Sequence, residues 1–316
     1  LSGFLKLKDA QALAVCDVMK SRTEEARQLV NKTYGNQDCN SYADWREVIT
    51  RKDIDAVMIS TPDHWHVPMA LTAIRAGKDV CCEKPTYTIE QGRVLSDTVA
   101  KHNAVFQTST EDRSIPIYHR MAELVRNGRI GRLKSIHVTL PAGTVKPQPP
   151  KYAPVPEGFD YDMWLGPAPK APYTVDRCKP QGTYWIYDQS IGYPGGWGAH
   201  PLDILVWCYE GDVAGPYTVE GTGVIPTVGL YDTVYNWDMT LKMADGVTIT
   251  FKPGSDSTKF IGTKGRLELT RNSIRAFPKE LVPEGLPKNN HGDNGAQHIK
   301  VFAESIRSRE PASSHV

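Results

Sequence analysis

The stretch IDAVMISTPDHWHVPMALTAIRAGKDVCCEKP, residues 54–85, decides the fold. It opens on an apolar, β-rich run, "IDAVMISTP". A helical run follows, "VPMALTAIRAG", stopped by Gly77, and then a second apolar strand, "KDVCCEKP". Strands this apolar are buried on both faces, and strands separated by helices belong to a parallel sheet. One detail goes against plain burial. Glu83 and Lys84 follow Val80, Cys81 and Cys82 directly, before Pro85, which has no N–H, ends the ladder. A charged pair stands at the tip of a buried strand.

The same alternation extends outward. Upstream, "ALAVCDV" (12–18) reads as a strand and "SRTEEARQLVNKTYG" as a helix, with Ser21 as N-cap, Glu24 in the capping-box position and Gly35 as stop. "DWREVITR" is a short helix; downstream, "TIEQGRVLSDTVAKHN" is a helix and "AVFQTST" a strand. Residues 1–113 therefore read as a doubly wound, Rossmann-type α/β domain. After residue 113 a helix, "IPIYHRMAELVRNGRIG", and a strand, "LKSIHVTL", lead into a Pro-rich loop, 141–175, too long to be mere connection and suited to covering a site. A helix starts at "HPLDILVWCYEG". The strands "YTVEGTGVIP", "VYNWDMTLKMADG", "VTITFKPG" and "KFIGTKGRLELTR" then follow without intervening helices, with a hairpin at "ADG". Residues 114–316 read as an α+β domain with a mostly antiparallel open sheet, closed by a helix at "HIKVFAESIRSREP".

One element is not found. In a dinucleotide-binding sheet the first strand leads into a Gly-rich turn, and an acidic residue about 20 residues on holds the ribose. Asp17 fits the acidic position, but "SGFLKLKDA" before it reads as the tail of the helix that follows such a turn. The reading expects a further strand and the Gly-rich turn upstream of Leu1, and a continuation beyond Val316.

Composition narrows the partners. Across 316 residues, 37 Lys plus Arg nearly balance 36 Asp plus Glu, so nothing in the charge recommends a nucleic acid or an anionic membrane. A small neutral or mixed ligand is the expectation. No apolar run approaches the roughly 20 residues of a membrane helix, and residues 1–12 show no signal-peptide pattern. The six cysteines include no CxxC and no spacing with histidine that makes a zinc site. Apolar surroundings for Cys16, Cys81 and Cys82 favour a reducing, cytoplasmic compartment, with export left open.

The tips of the strands hold the candidate chemistry. Asp17 ends one strand, as a ribose ligand or as a cap of the next helix. "STPDHWHV" (60–67) ends the next, where ligands of doubly wound sheets collect; His64 and His66 lack a third partner for a metal. Lys84 reads as a group beside a nicotinamide and a substrate hydroxyl, or as a surface partner of Glu83. In "GGWGAHPLD" (195–203) His200 reads as N-cap, Pro201 as the first helical residue and Asp203 as N3. An imidazole at a helix N-terminus stays neutral, as a general base should. Trp164, Trp185 and Trp197 are candidate stacking surfaces for a sugar ring, or simply packed aromatics.

The series "VCDV", "STPDHWH", "RAGKDVCCEKP", "FQTST" and "GGWGAHPLDI", in this order and spacing, resembles the Gfo/Idh/MocA family of NAD(P)-dependent oxidoreductases over essentially the whole chain. The resemblance implies a Rossmann domain and a C-terminal α/β domain whose open sheet serves homo-oligomerisation. It implies a carbohydrate or polyol substrate. It also implies that Lys84 contacts nicotinamide and substrate, that His200 acts as acid/base, and that Thr61, Pro62, Trp65, His66, Glu83 and Gln107 line the cofactor. NAD is expected through Asp17; NADP stays possible because Lys20 and Arg22 lie near. Trp164, Trp197 and Asp203 are expected at the substrate. The chain departs from the pattern at Gly196, where many members carry an aspartate ahead of the histidine. Asp203, Asp188 and Tyr193 are left as candidates to orient His200. The expected activity is hydride transfer between a carbohydrate or polyol hydroxyl and NAD(P). The alternatives are an NAD-dependent glycosidase working by transient oxidation and elimination, against which Lys84 speaks, and a non-catalytic Rossmann-like structural or regulatory protein.

Overall fold

Strands β1 (Ala14–Cys16), β2 (Asn40–Tyr42), β3 (Ala56–Ile59), β4 (Asp79–Cys82) and β5 (Phe106–Thr108) alternate with helices α1 (Lys20–Tyr34), α2 (Trp45–Thr50), α3 (Asp63–Arg75) and α4 (Ile89–His102). The computed structural model describes residues 1–143, 149–211, 213, 215–271, 273–286 and 294–316. The pairings are all parallel and come in two pieces, β1–β2 and β3–β4–β5. In the Rossmann strand order 3-2-1-4-5-6 the strand between those pieces is the first. Among the described residues none stands there, so β1 and β3 each keep an unpaired edge.

β4 is buried at all four positions. Val80 and Cys82 pack with Ile59, Ala70, Ile74, Leu95 and Phe106. Cys81 points the other way, into Val105, Ile299 and Phe302. All six cysteines are free. Among the described residues no helix is long and apolar enough to cross a membrane.

Two helix starts differ from the sequence reading. α1 begins at Lys20, so Ser21 is not its N-cap: Asp17 Oδ1 accepts from Met19 N at 2.8 Å, and Thr23 Oγ1 donates to the Asp17 and Met19 carbonyls. Glu24 binds Arg27 and Gln28 instead of closing a capping box. α3 begins at Asp63, which puts His64 and His66 inside the helix rather than before it.

The second half begins with α5 (Pro116–Arg126) and strand β6 (Leu133–Leu140). Four helices follow: α6 (Tyr161–Leu165), α7 (Val175–Cys178), α8 (Gly192–Gly196) and α9 (Ala199–Cys208). Then come β7 (Tyr217–Val224), β8 (Asn236–Met243), β9 (Thr248–Pro253), β10 (Ser257–Gly262), β11 (Arg266–Thr270), β12 (Ser273–Phe277) and helix α10 (Asn294–Ser308). The sheet order is β12-β11-β10-β6-β9-β8-β7, antiparallel except at β6–β9. "KFIGTKGRLELTR" is two strands, β10 and β11, because Gly265 at φ +152° turns the chain; β12 is an unanticipated addition. Ile136, Val138, Leu140, Phe251, Phe260 and Leu267 form the face that packs against Ile117, Met121, Ile204 and Leu205 of α5 and α9. Ser135, His137, Thr139, Thr250, Lys259 and Glu268 alternate onto the opposite face.

Residues 294–316 pack back on the first half of the chain. Ile299 and Phe302 of α10 cover Cys81 and Val105 of the first domain, with Phe4 against them. Thr108 N donates to Ser314 O, and Val316 joins the cluster around β4. The C-terminal helix is thus a layer of the Rossmann domain, supplied from the other end of the chain.

The Pro-rich loop, of which 144–148 lie outside the described residues, docks on the first domain through α6. Trp65 Nε1 donates to the carbonyls of Met163 and Trp164, 3.1 Å each, and its ring lies against Gly166. Gly166 has φ +50°, and a Cβ there would stand 2.0 Å from Trp65 Cζ2. Gly166→Ala is expected to cost about 2 kcal/mol or more, from backbone strain plus overpacking. A thermal melt should show Tm falling by several degrees, with Gly295→Ala, whose Cβ meets nothing within 4 Å, as the neutral control.

Candidate active site

Burial of β4 fixes where its charged tip emerges. Glu83 N donates to Ile59 O at 2.9 Å, the last rung between β4 and β3. Glu83 and Lys84 then come out at the wall of a cleft of about 620 Å³. Met58 of β3, Ser109 and Glu111 beyond β5, His200 of α9 and Arg271 beyond β11 share that wall; residues 1–3 and the start of α10 complete it. Lys84 and His200, brought by different domains, therefore face one cavity. Lys84 Nζ lies 6.0 Å from the centre of the Tyr184 ring. Burial pushes the Glu83 carboxyl up, and neighbouring Lys84 opposes the shift.

His200 sits in the first turn of α9 but is not its N-cap. Trp197 and Gly198 already have helical dihedrals, so the helix begins ahead of the histidine. Pro201 and Asp203 are displaced from their expected N1 and N3 positions accordingly. Burial pushes the imidazole pKa down; Glu111 opposes this, and Lys84 and Arg271 add to it. The ring stays neutral more readily than a free histidine. Its Nδ1 is buried with no hydrogen bond, 3.5 Å from Glu111 Oε2 and 3.9 Å from Asp112 Oδ2.

Those two acids escaped the sequence reading. They occupy a 3-10 turn, Glu111–Ser114, immediately past the tip of β5. The signal was the pair "ED" directly after a strand tip that already held Gln107. Burial pushes Asp112 up to about 7, helped by the negative charge of Glu111, while Arg271 and a hydrogen bond from Tyr118 pull it down.

The candidates to orient His200 go elsewhere. Asp203 makes a two-pronged pair with Arg113, 2.8 Å at each oxygen, so its carboxylate is committed to Arg113 rather than to His200. Asp188 is exposed. Tyr193 is stacked between Trp185 and Trp197, at 5.3 and 6.0 Å. At Gly196 a Cβ would stand 3.1 Å from Tyr184 Cε1, so the Tyr184 ring packs against the position of the missing aspartate.

The tryptophans separate. Trp164 stacks on Tyr161 at 5.7 Å within a cluster that includes Phe159 and Tyr173. Trp185 packs on Tyr193. Trp197 borders the site, edge-on to His200 and with the Arg271 guanidinium 4.9 Å from its ring.

Three expected cofactor-lining residues hold the crevice together from behind. Trp65 is engaged with α6, as described. His66 sets Nδ1 2.9 Å from Pro85 O and Nε2 2.8 Å from Thr61 O, bridging the tips of β4 and β3. Gln107 is fully buried and donates to His298 O at 2.9 Å. Asp17, Thr61 and Pro62 remain at the strand tips. Asp17 Oδ2 is open among the described residues, and Thr61 Oγ1 is buried without a partner. An orphaned hydroxyl at β3, an open carboxylate oxygen at β1 and the Glu83–Lys84 tip fit the ribose and nicotinamide parts of a dinucleotide. No Gly-rich turn for its pyrophosphate is among residues 1–316.

Residues 3–110 match the model of an oxidoreductase family's NAD-binding Rossmann fold, and residues 145–312 the model of the same family's C-terminal alpha/beta domain. A levoglucosan dehydrogenase of Pseudarthrobacter phenanthrenivorans is 34% identical over 131 residues, 41% of this chain and 33% of that protein. A D-glucoside 3-dehydrogenase of Escherichia coli is 32% identical over 133 residues, 42% of this chain and 36% of that protein. The matched stretch thus spans about a third of the length of these curated relatives. A solved levoglucosan dehydrogenase, in complex with NADH and levoglucosan, superposes with a TM-score of 0.68 at 19% identity, over 96% of this chain and 83% of that one. At that identity the likeness concerns the fold.

The raised Asp112 carboxyl has a stability consequence. The folded state holds its proton up to about pH 7, while the unfolded chain releases it near 4. Between those values wild type loses stability at this site as pH rises. Asp112→Asn should therefore gain on wild type from about pH 4 to about pH 7 and level off above, in urea unfolding at several pH values.

Proposed function

The chain belongs to the Gfo/Idh/MocA oxidoreductase family, and from that premise we propose that it moves a hydride between a carbohydrate or polyol hydroxyl and NAD(P). The observation that carries the reading is the meeting of Lys84 and His200 on one cleft wall. A neutral imidazole can take the hydroxyl proton, and burial holds His200 neutral. The Lys84 ammonium stabilises the alkoxide as the O–H bond breaks. The nicotinamide, when bound, supplies the hydride acceptor. Asp17, Thr61, Pro62, Glu83 and Lys84 would hold the dinucleotide, and Asp17 favours NAD over NADP by receiving the ribose hydroxyls.

A polyhydroxylated ring suits the rest of the wall. Lys6, Lys84 and Arg271 stand with Glu83, Glu111, Ser109 and His200 on that wall, a mixture of donors and acceptors for hydroxyl groups. The relatives named for levoglucosan and D-glucosides agree with that substrate class. The polar sheet face carrying His137, Lys259 and Glu268 is the surface we assign to a second copy of the chain. Lys84 at the cleft favours net hydride transfer over glycosidic elimination.

Lys84→Ala is expected to lower polyol oxidation by roughly 100-fold or more, read as NADH absorbance, while calorimetry still finds NAD bound. Undiminished oxidation in that variant would overturn the role of Lys84. Release of an aglycone without accumulation of NADH would replace dehydrogenation by the glycosidase reaction.

A further inference from the structure

We propose that Glu111, on the turn beyond β5, is the positioning residue of His200: its carboxylate accepts a hydrogen bond from Nδ1–H and leaves Nε2 as the base. What the histidine does next rests on the hydride-transfer reading; the pairing itself stands on geometry.

Three observations carry it. His200 Nδ1 is buried and without a hydrogen bond, and its acidic neighbours are Glu111 Oε2 at 3.5 Å and Asp112 Oδ2 at 3.9 Å. Catalytic hydrogen bonds are commonly long before substrate arrives and tighten with it. No acid stands one helical turn before the histidine, where Gly196 has no side chain and a Cβ would crowd the Tyr184 ring at 3.1 Å. Finally, the turn and α9 are locked in register. Arg113, two residues from Glu111, is held by both oxygens of Asp203, three residues from His200, and its guanidinium lies 5.5 Å from the Trp207 ring. The acid expected to act on the histidine thus acts at one remove, by fixing the turn that carries Glu111.

The chemistry follows from the donor inventory. An ionised carboxylate only accepts, so Nδ1 must carry the hydrogen to meet it. Free imidazole in water prefers the opposite tautomer, with hydrogen on Nε2; Glu111 reverses that preference. When the substrate O–H breaks, its proton forms the Nε2–H bond, and a bound nicotinamide would supply the acceptor for the hydride that carries away the C–H electron pair. The imidazolium so formed faces the Glu111 charge through Nδ1–H and later returns one proton to solvent. Lys84 from the β4 tip and Arg271 beyond β11 act against that cation; Asp256 before β10 acts for it, and Tyr118 of α5 holds Asp112. Two adjacent carboxyls do not ionise together easily, and burial makes Asp112 the one that keeps its proton up to about pH 7.

The test needs no cofactor. Long-range 1H–15N spectra of 15N-histidine-labelled protein report the tautomer of each of its nine histidines, with His200→Gln identifying the His200 signals. Wild type is expected to show the Nδ1–H form at His200, and Glu111→Ala the Nε2–H form. Glu111→Gln, which keeps an acceptor but no charge, should retain Nδ1–H while the titration midpoint falls by about one pH unit. Asp112→Asn, mimicking the protonated acid, should leave the tautomer as in wild type near neutral pH. With a polyol substrate, Glu111→Ala should lower kcat by roughly 100-fold with KM changed less than about threefold. An Nε2–H tautomer in wild type overturns the proposal without any variant having to fold. So does a His200 tautomer and midpoint unmoved by Glu111→Ala. Nδ1–H in wild type with no oxidation of any polyol would uphold the pairing and overturn the hydride-transfer reading instead.

Discussion

The structure depends on the burial of one short strand from both sides. Val80 and Cys82 of β4 lie in the core formed with α3 and α4, while Cys81 is sealed by Ile299 and Phe302 of α10. The second cover comes from the far end of the chain, so completing the first domain requires the chain to have built the second sheet and returned. That return brings the start of α10 to the cleft wall, beside Glu83, Lys84 and His200. Strand burial and assembly of the candidate site are the same packing event. A side chain on a strand so confined has little freedom, which is what a group that must meet a reacting oxygen requires.

Much of this was legible in the sequence, where periodicity carries the information. Apolar runs of strand length separated by helical ones gave the parallel half, and alternation without helices gave the antiparallel half; "LKSIHVTL" coincides with β6 at both ends. Lys84 and His200 could be placed on one crevice because strand tips converge in such a sheet. What escaped was decided by competition between groups distant in the chain or equivalent in local pattern. Ser21 looked like the cap of α1, yet Asp17 reached Met19 N first. Asp203 looked like a partner of His200, but Arg113 binds both its oxygens. Trp164 and Trp197 are alike in sequence context; only the cluster of Phe159, Tyr161 and Tyr173 separates a packed ring from one at the site. Nothing in "HIKVFAESIRSREP" names the surface it covers.

The electrostatics of the cleft depend on unequal exposure more than on net charge. Lys6, Lys84 and Arg271 face Glu83 and Glu111 across the cleft. Burial then divides the roles: it holds Glu83 and Asp112 towards their protonated forms and His200 towards neutrality. The wall can therefore offer a cation and a neutral base side by side, which a solvated set of the same residues would not maintain.

His66 has a mechanical meaning of its own. The hydrogen-bond ladder between β3 and β4 ends at Glu83, and beyond it the two tips would be free to splay. The imidazole spans that gap as a strut, one ring nitrogen against the Thr61 carbonyl and the other against that of Pro85. The two nitrogens are set on a rigid ring, so the bridge adds no torsion of its own between the two turns. The Thr61 turn and the Lys84–Pro85 turn are thereby tied through one side chain, so the spacing between the cofactor wall and the lysine rests on His66 as well as on the sheet.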